Sequence, residues 1–162
     1  MTKKIMHQIR LHGRGGQGVV TAAELIAIAA FFDGKETQAF PSFGVERTGA
    51  PIEAFARIDK APIRTREHIY EPNVIIVQDA TLLDTIDVTH GADKNTKVII
   101  NSSQPKEQIN IKLPPENIYA IDATKIATVV KLVRITLLAP VVFFLAWRMR
   151  AAAVGGSAGA AG

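Results

Sequence analysis

Apolar positions along the chain change period several times, and each change marks an element. Ile5, Ile9 and Leu11 punctuate a short segment that ends at His12 and reads as a strand. VVTAAELIAIAAFF, residues 19–32, is rich in Ala and Leu and reads as a helix, with Asp33-Gly34 as its stop. ETQAF (36–40) and EAFARI (53–58) read as strands. NVIIVQ (73–78) and KVIIN (97–101) are continuous apolar runs of the kind buried in a parallel sheet, and NIYAIDA (117–123) follows as another strand. Between them ATLLDTI (80–86) reads as a short helix capped by Asp79 or Thr81, with Asp79 expected to be an N-cap rather than a catalytic acid. Gln104 to Glu116, with three prolines, reads as a loop or an edge strand. Strands alternating with helical segments predict an α/β fold: a Rossmann-like layered sheet, parallel or mixed at one edge, with flanking helices.

Beyond residue 127 the pattern changes. Ile135–Trp147 carries no charge and predicts a C-terminal hydrophobic helix, bent or interrupted at Pro140. As a helix it would span about 20 Å, short of the roughly 30 Å hydrocarbon core of a bilayer. The predicted organisation is an α/β domain over 1–127, a hydrophobic helical segment of atypical origin over 128–150, and a disordered small-residue tail over 151–162. Three explanations of the apolar segment stay open: a helix buried by other subunits, a membrane anchor, or a fused or frameshifted end, the last favoured as to origin.

Composition narrows the function. The formal net charge is +4, with the basic residues scattered, so nucleic acid is not the expected partner. There is no cysteine, which excludes disulfides, Cys-type zinc sites and Cys-ligated iron–sulfur clusters carried by these residues. The first residues lack the apolar core of a signal peptide, so a cytoplasmic location is expected. None of the four histidines is spaced with another as a metal pair, and no metal site is predicted.

The chemistry concentrates in HGRGGQGVV, residues 12–20. A glycine loop between a strand and a helix N-terminus suits an anion: backbone N–H groups and the positive end of the helix dipole face it, and no Cβ stands in the way. Arg14 adds a charged donor and Gln17 a neutral one. Gly13, Gly15 and Gly18 match the dinucleotide pattern G-x-G-x-x-G, but the acid that pattern needs is misplaced: Glu36 would sit at the wrong end of the second strand. A tight turn with no ligand is the competing reading. FPSFGVERTGAP, Phe40 to Pro51, leaves the carboxyl end of the second strand and is expected to converge with the glycine loop. The alternative is a buried turn with Phe40 and Phe43 as core plugs.

Together, GRGGQG before a helix and FPSFGVERTGAP before a strand resemble the gamma subunit, or gamma domain, of 2-oxoacid:ferredoxin oxidoreductases, the pyruvate enzyme above all. The resemblance covers about residues 5–127. It implies oxidative decarboxylation of a 2-oxoacid to an acyl-CoA by an assembly of alpha, beta, gamma and delta subunits, with ferredoxin as electron acceptor. Thiamine diphosphate, magnesium and iron–sulfur clusters would reside on the partner subunits, and this chain would not be catalytic alone. The residues implied at a shared coenzyme A site are Gly13, Arg14, Gly15, Gly16, Gln17, Gly18, Ser42, Arg47 and Thr48. The alternatives are a stand-alone nucleotide- or coenzyme A-binding protein and a scaffold that Ile135–Trp147 anchors to a membrane.

Overall fold

The computed structural model describes residues 6–42, 49–123 and 125. The chain divides into two units, Met1–Asp122 and Ala123–Gly162, and all the elements below belong to the first. Six strands form one sheet: β1 (His7–Arg14), β2 (Glu36–Pro41), β3 (Pro51–Asp59), β4 (Val74–Val77), β5 (Lys97–Asn101) and β6 (Ile118–Ile121), in the order β2-β3-β1-β4-β5-β6. β1, β4, β5 and β6 pair in parallel; β3 runs antiparallel to both β1 and β2. The sheet is therefore mixed, with the antiparallel pairing confined to the β2–β3–β1 half.

In the first unit the described residues hold one α-helix, α1 (Val19–Phe32); in the second, Ala123 and Lys125 are helical. α1 ends where expected, at Asp33, with Gly34 at φ 72°. It packs on the β1–β3 half through small residues: Ala23 meets Leu11, Ala54 and Ala56, with Val19 at the helix start. Small side chains on both layers let helix and sheet approach closely, and so the glycine loop at the end of β1 is held against the sheet. The outer face of α1 leaves Leu25, Ile28, Phe31 and Phe32 exposed.

The opposite face is covered differently. Alternation along β1 sends Arg10 and His12 away from α1, in register with Ile75 and Val77 of β4. Ile75, Val77, Val98, Ile100 and Ile118 form the core there with Leu82, Val88 and Ile109. Beside it Arg10 and Arg57 are buried and donate to backbone carbonyls of segments that form no strand. Arg10 reaches Ile69, Val88 and His90; Arg57 reaches Glu67 and His68 and lies 5.2 Å from the Phe40 ring centroid. The carbonyls of Ile69 and Val88, buried outside a ladder, need donors, and Arg10 supplies them.

Several expectations are corrected or resolved. β1 continues through Gly13 to Arg14, because β3 pairs with it to the end. The short helix expected over 80–86 is a 3₁₀ helix over Ala80–Asp84, with Asp79 as its N-cap. Of the two readings of 104–116 the loop is the one built, with short 3₁₀ turns at Lys106–Gln108 and from Pro115, since the prolines withhold ladder donors. In the first unit the flanking α-helix among the described residues is α1. Ile135–Trp147 and the 151–162 tail lie outside the described residues; among the described residues no helix is long and apolar enough to cross a membrane.

Candidate functional site at the carboxyl ends of β1 and β4

β1 and β4 are adjacent parallel strands, and the chain leaves them toward opposite faces: α1 follows β1, while the Ala80–Asp84 turn after β4 packs into the other core. The carboxyl ends of two such strands, where the chain turns to opposite faces, are the crevice position of an open α/β sheet, the usual place for a ligand. The glycine loop leaves one strand at this position and Gln78–Thr81 the other.

Each glycine of the loop has its own reason. A Cβ at Gly13 would lie 2.4 Å from Val19 Cγ2 and 3.2 Å from both Gln17 Oε1 and Gln78 Oε1, so the strand-to-helix packing admits no side chain there. Gly16 and Gly18 adopt φ of 92° and 74°, in the left-handed region, with nothing within 4 Å of an added Cβ. Gly18 is the N-cap of α1, and no described side chain caps that helix or places an acid in its first turn. The first N–H groups of α1 are thus left without a carboxylate from the helix's own first turn.

The two glycine-bearing segments do meet. Gly15 N donates to Ala50 O at 2.9 Å and Gly49 N donates to Gly15 O at 3.1 Å. Ser42, half-buried, extends the ladder beyond β2 by donating its N–H to Glu53 O at 2.9 Å. Arg47 and Thr48, like Phe43, lie outside the described residues. Phe40 plugs the face opposite α1, 5.2 Å from the Phe55 ring.

A polar network around Asp79 fixes the loop. Oδ1 of Asp79 accepts from Thr81 N (3.0 Å) and Thr81 Oγ1 (2.6 Å); Oδ2 accepts from Arg14 Nε (3.2 Å) and Gln17 Nε2 (3.0 Å). Arg14 also donates to Gly49 O and to Thr81 Oγ1, and Gln17 Oε1 accepts from Arg14 N. The hydrogen bond from Thr81, then that from Gln17, holds the Asp79 carboxyl below its ordinary range. Asp79 is thus the expected N-cap and also the post to which the loop is tied. The Arg14 guanidinium stands beside the glycine loop, engaged by this network.

His12 forms a buried floor. Its Nε2 accepts from Arg10 Nε at 3.1 Å, and its Nδ1 lies 3.4 Å from Glu53 Oε1, too loosely aligned to count as a satisfied donor. Burial, reinforced by the Arg10 charge, lowers its pKa to about 4, so the ring is neutral near pH 7 with its proton on Nδ1. Glu36 opens β2 and is exposed, at the opposite end of the sheet from the glycine loop. β3 also separates β2 from β1, so the dinucleotide arrangement, with its second strand beside the first, is not built here.

Sequence reasoning passed over Gln78. It closes β4, its N–H donates to His12 O, and its side-chain Oε1 is buried without a hydrogen-bond partner. Its signal was positional only: the first polar residue after an apolar parallel strand.

The model of the pyruvate ferredoxin/flavodoxin oxidoreductase family matches residues 8–161, further than the resemblance that ends near Ala127. A pyruvate synthase subunit from Methanosarcina barkeri is 52% identical over 122 residues, covering 75% of this chain and 66% of that one. The common gamma subunit of the pyruvate and ketoisovalerate oxidoreductases of Thermococcus litoralis is 54% identical over 124 residues, covering 75% and 67%. Among solved structures, a pyruvate oxidoreductase subunit from Thermotoga maritima aligns with a TM-score of 0.62 at 36% identity, over 77% of this chain and 66% of that chain. The chain spans about two thirds of the length of these relatives. A 2-oxoglutarate:ferredoxin oxidoreductase chain from Magnetococcus marinus shares the fold, with a TM-score of 0.57 at 20% identity. This chain belongs to the pyruvate ferredoxin/flavodoxin oxidoreductase family.

Proposed function

We propose that the chain acts as the gamma subunit of a 2-oxoacid:ferredoxin oxidoreductase, with pyruvate the first 2-oxoacid to test, and that its glycine loop forms part of the coenzyme A site. The observation that carries this reading is the glycine loop at the carboxyl end of β1. In a member of this family, an uncapped helix N-terminus and two left-handed glycines open beside an arginine held by Asp79. Coenzyme A brings a diphosphate and a 3′-phosphate, anions that such a terminus favours. Gly13 allows close packing of α1, Gly16 and Gly18 open the backbone, and Gly15 ties the loop to Gly49–Ala50. Arg14 adds positive charge from a fixed position, and Gln17 holds the loop to Asp79. Ser42, Arg47 and Thr48 belong to the second loop of the same site in this reading.

The residues present do not fit the other groups the reaction uses. Without cysteine the chain offers no thiolate to an iron–sulfur cluster. Among the described residues no cluster of His, Asp and Glu could hold a metal ion. Thiamine diphosphate, magnesium and the clusters therefore fall to alpha, beta and delta subunits, and ferredoxin meets the complex rather than this chain. Reconstitution tests this. The purified chain alone is expected to give no 2-oxoacid-dependent reduction of a viologen dye, whereas the four co-expressed subunits give coenzyme A-dependent turnover that disappears when this chain is left out. Turnover by the chain alone, or full turnover without it, contradicts the reading.

A further inference from the structure

We propose that residues 60–66, the segment leaving β3, receive an extended acidic segment of a partner subunit, which pairs with their backbone and sets carboxylates against Lys60, Arg64 and Arg66. The inference rests on the gamma-subunit reading above and adds to it a surface by which this chain joins the assembly. Exposure alternates along the segment: Lys60, Pro62, Arg64 and Arg66 are exposed, while Ala61, Ile63 and Thr65 are half-buried. That alternation, with Pro62 keeping the residue before it extended, puts the three cations on one side of an extended chain. No acid interrupts the row; Asp59 and Glu67 bracket it. Asp59 is turned to the backbone, its Oδ1 accepting from Lys60 N and Ala61 N, and Glu67 acts on the buried Arg57. None of the three cationic groups makes an ion pair or a hydrogen bond with a described residue.

The backbone is equally unused. Among the described residues no N–H from Ile63 to His68 donates a hydrogen bond, and no carbonyl from Lys60 to Arg66 accepts one. Backbone so free of partners is ordinarily loose, yet the far end of this segment is fixed. Buried Arg57 donates to Glu67 O and His68 O, buried Arg10 donates to Ile69 O, and the His68 ring lies 5.0 Å from the Phe55 ring. A held, extended backbone with unused donors and acceptors is what strand addition requires: main-chain bonds give affinity, and alternate side chains give specificity. Exposed ion pairs are individually weak, so here the cations choose the partner and the backbone pairing holds it. The complementary segment carries carboxylates at every second position.

The test is hydrogen exchange and binding in the complex of four co-expressed subunits. The amides of Ile63, Arg64, Thr65 and Arg66 should exchange at least about tenfold more slowly in the complex than in this chain alone. Arg64→Glu with Arg66→Glu should weaken binding to the alpha, beta and delta subunits by more than about tenfold. The parent's affinity should fall as salt rises. Lys94→Glu with Lys106→Glu, at two lysines exposed elsewhere, should stay within about twofold of the parent. Unprotected amides in the complex, or an Arg64–Arg66 double variant that binds like the parent, overturn the proposal and leave the subunit reading intact. Equal losses for the two double variants also overturn it, since net charge and not this row would then govern binding. Amides already protected in the chain alone overturn it in favour of a second copy as the occupant. A parent chain that does not join the other three subunits ends the subunit reading and this proposal with it.

Discussion

At the scale of single residues, the glycine loop separates steric from conformational demands. Gly13 is crowded by Val19, so Gly13→Ala overpacks the strand–helix contact at a cost of about 1–3 kcal/mol. Val19→Ala removes the offending Cγ2, so adding it to Gly13→Ala should cost less than the two single changes summed. Gly16→Ala meets no neighbour and bears only the left-handed backbone, about 1–2 kcal/mol, with no relief from Val19→Ala. Denaturant midpoints of the three single and two double variants check this; additivity at Gly13–Val19 contradicts the packing account. His12 gives a pH prediction. Its pKa falls from 6.5 to about 4 on folding, so between those values the unfolded chain binds the extra proton. Stability is full above about pH 6.5 and is lost as pH falls toward 4, by up to roughly 3 kcal/mol for a shift of this size. Unfolding curves between pH 7 and 4.5 should show this slope, and His12→Gln should flatten it. The depressed carboxyls, Asp79 among them, act below that window. A His12→Gln variant with the parent's pH slope would show that the ring is not the group responsible.

At the scale of elements, Asp79 does more than cap a turn. Asp79→Ala removes an N-cap, which costs about 0.5–2 kcal/mol, and also frees Arg14 and Gln17. Amide exchange is therefore expected to rise at residues 14–18 as well as at 80–84; a rise confined to 80–84 would limit Asp79 to capping. Much of the framework was legible along the chain. The apolar runs marked β4 and β5, and the Asp33-Gly34 stop marked the end of α1, because those features are set by neighbours in sequence. The strand order was not legible. β3 lies between β2 and β1, a pairing of residues some forty positions apart that alternation cannot register. Arg10 and Arg57 look like surface residues in sequence, and it is the main-chain carbonyls of Glu67 to Ile69 and of Val88 and His90 that receive them. The site was half legible for the same reason. Its glycines announce themselves locally, whereas Asp79, Thr81 and Gln78 reach the loop from more than sixty residues away.

For the whole molecule, the central claim is that the crevice at the ends of β1 and β4 serves coenzyme A within a multi-subunit oxidoreductase. The outer face of α1, with Leu25, Ile28, Phe31 and Phe32 exposed, makes the isolated chain prone to association, since exposed apolar patches of this kind are aggregation liabilities. The decisive work therefore belongs in the assembled complex. The most direct measurement is steady-state kinetics of the reconstituted enzyme, varying coenzyme A and the 2-oxoacid in turn, for the parent, Arg14→Ala and Gly18→Val. The account predicts a rise of about tenfold or more in the apparent KM for coenzyme A in both variants, in line with one charged hydrogen bond or one obstructed phosphate contact. The 2-oxoacid KM should move by less than about twofold. Unchanged coenzyme A dependence in complexes that still assemble, or a shift confined to the 2-oxoacid, would contradict it.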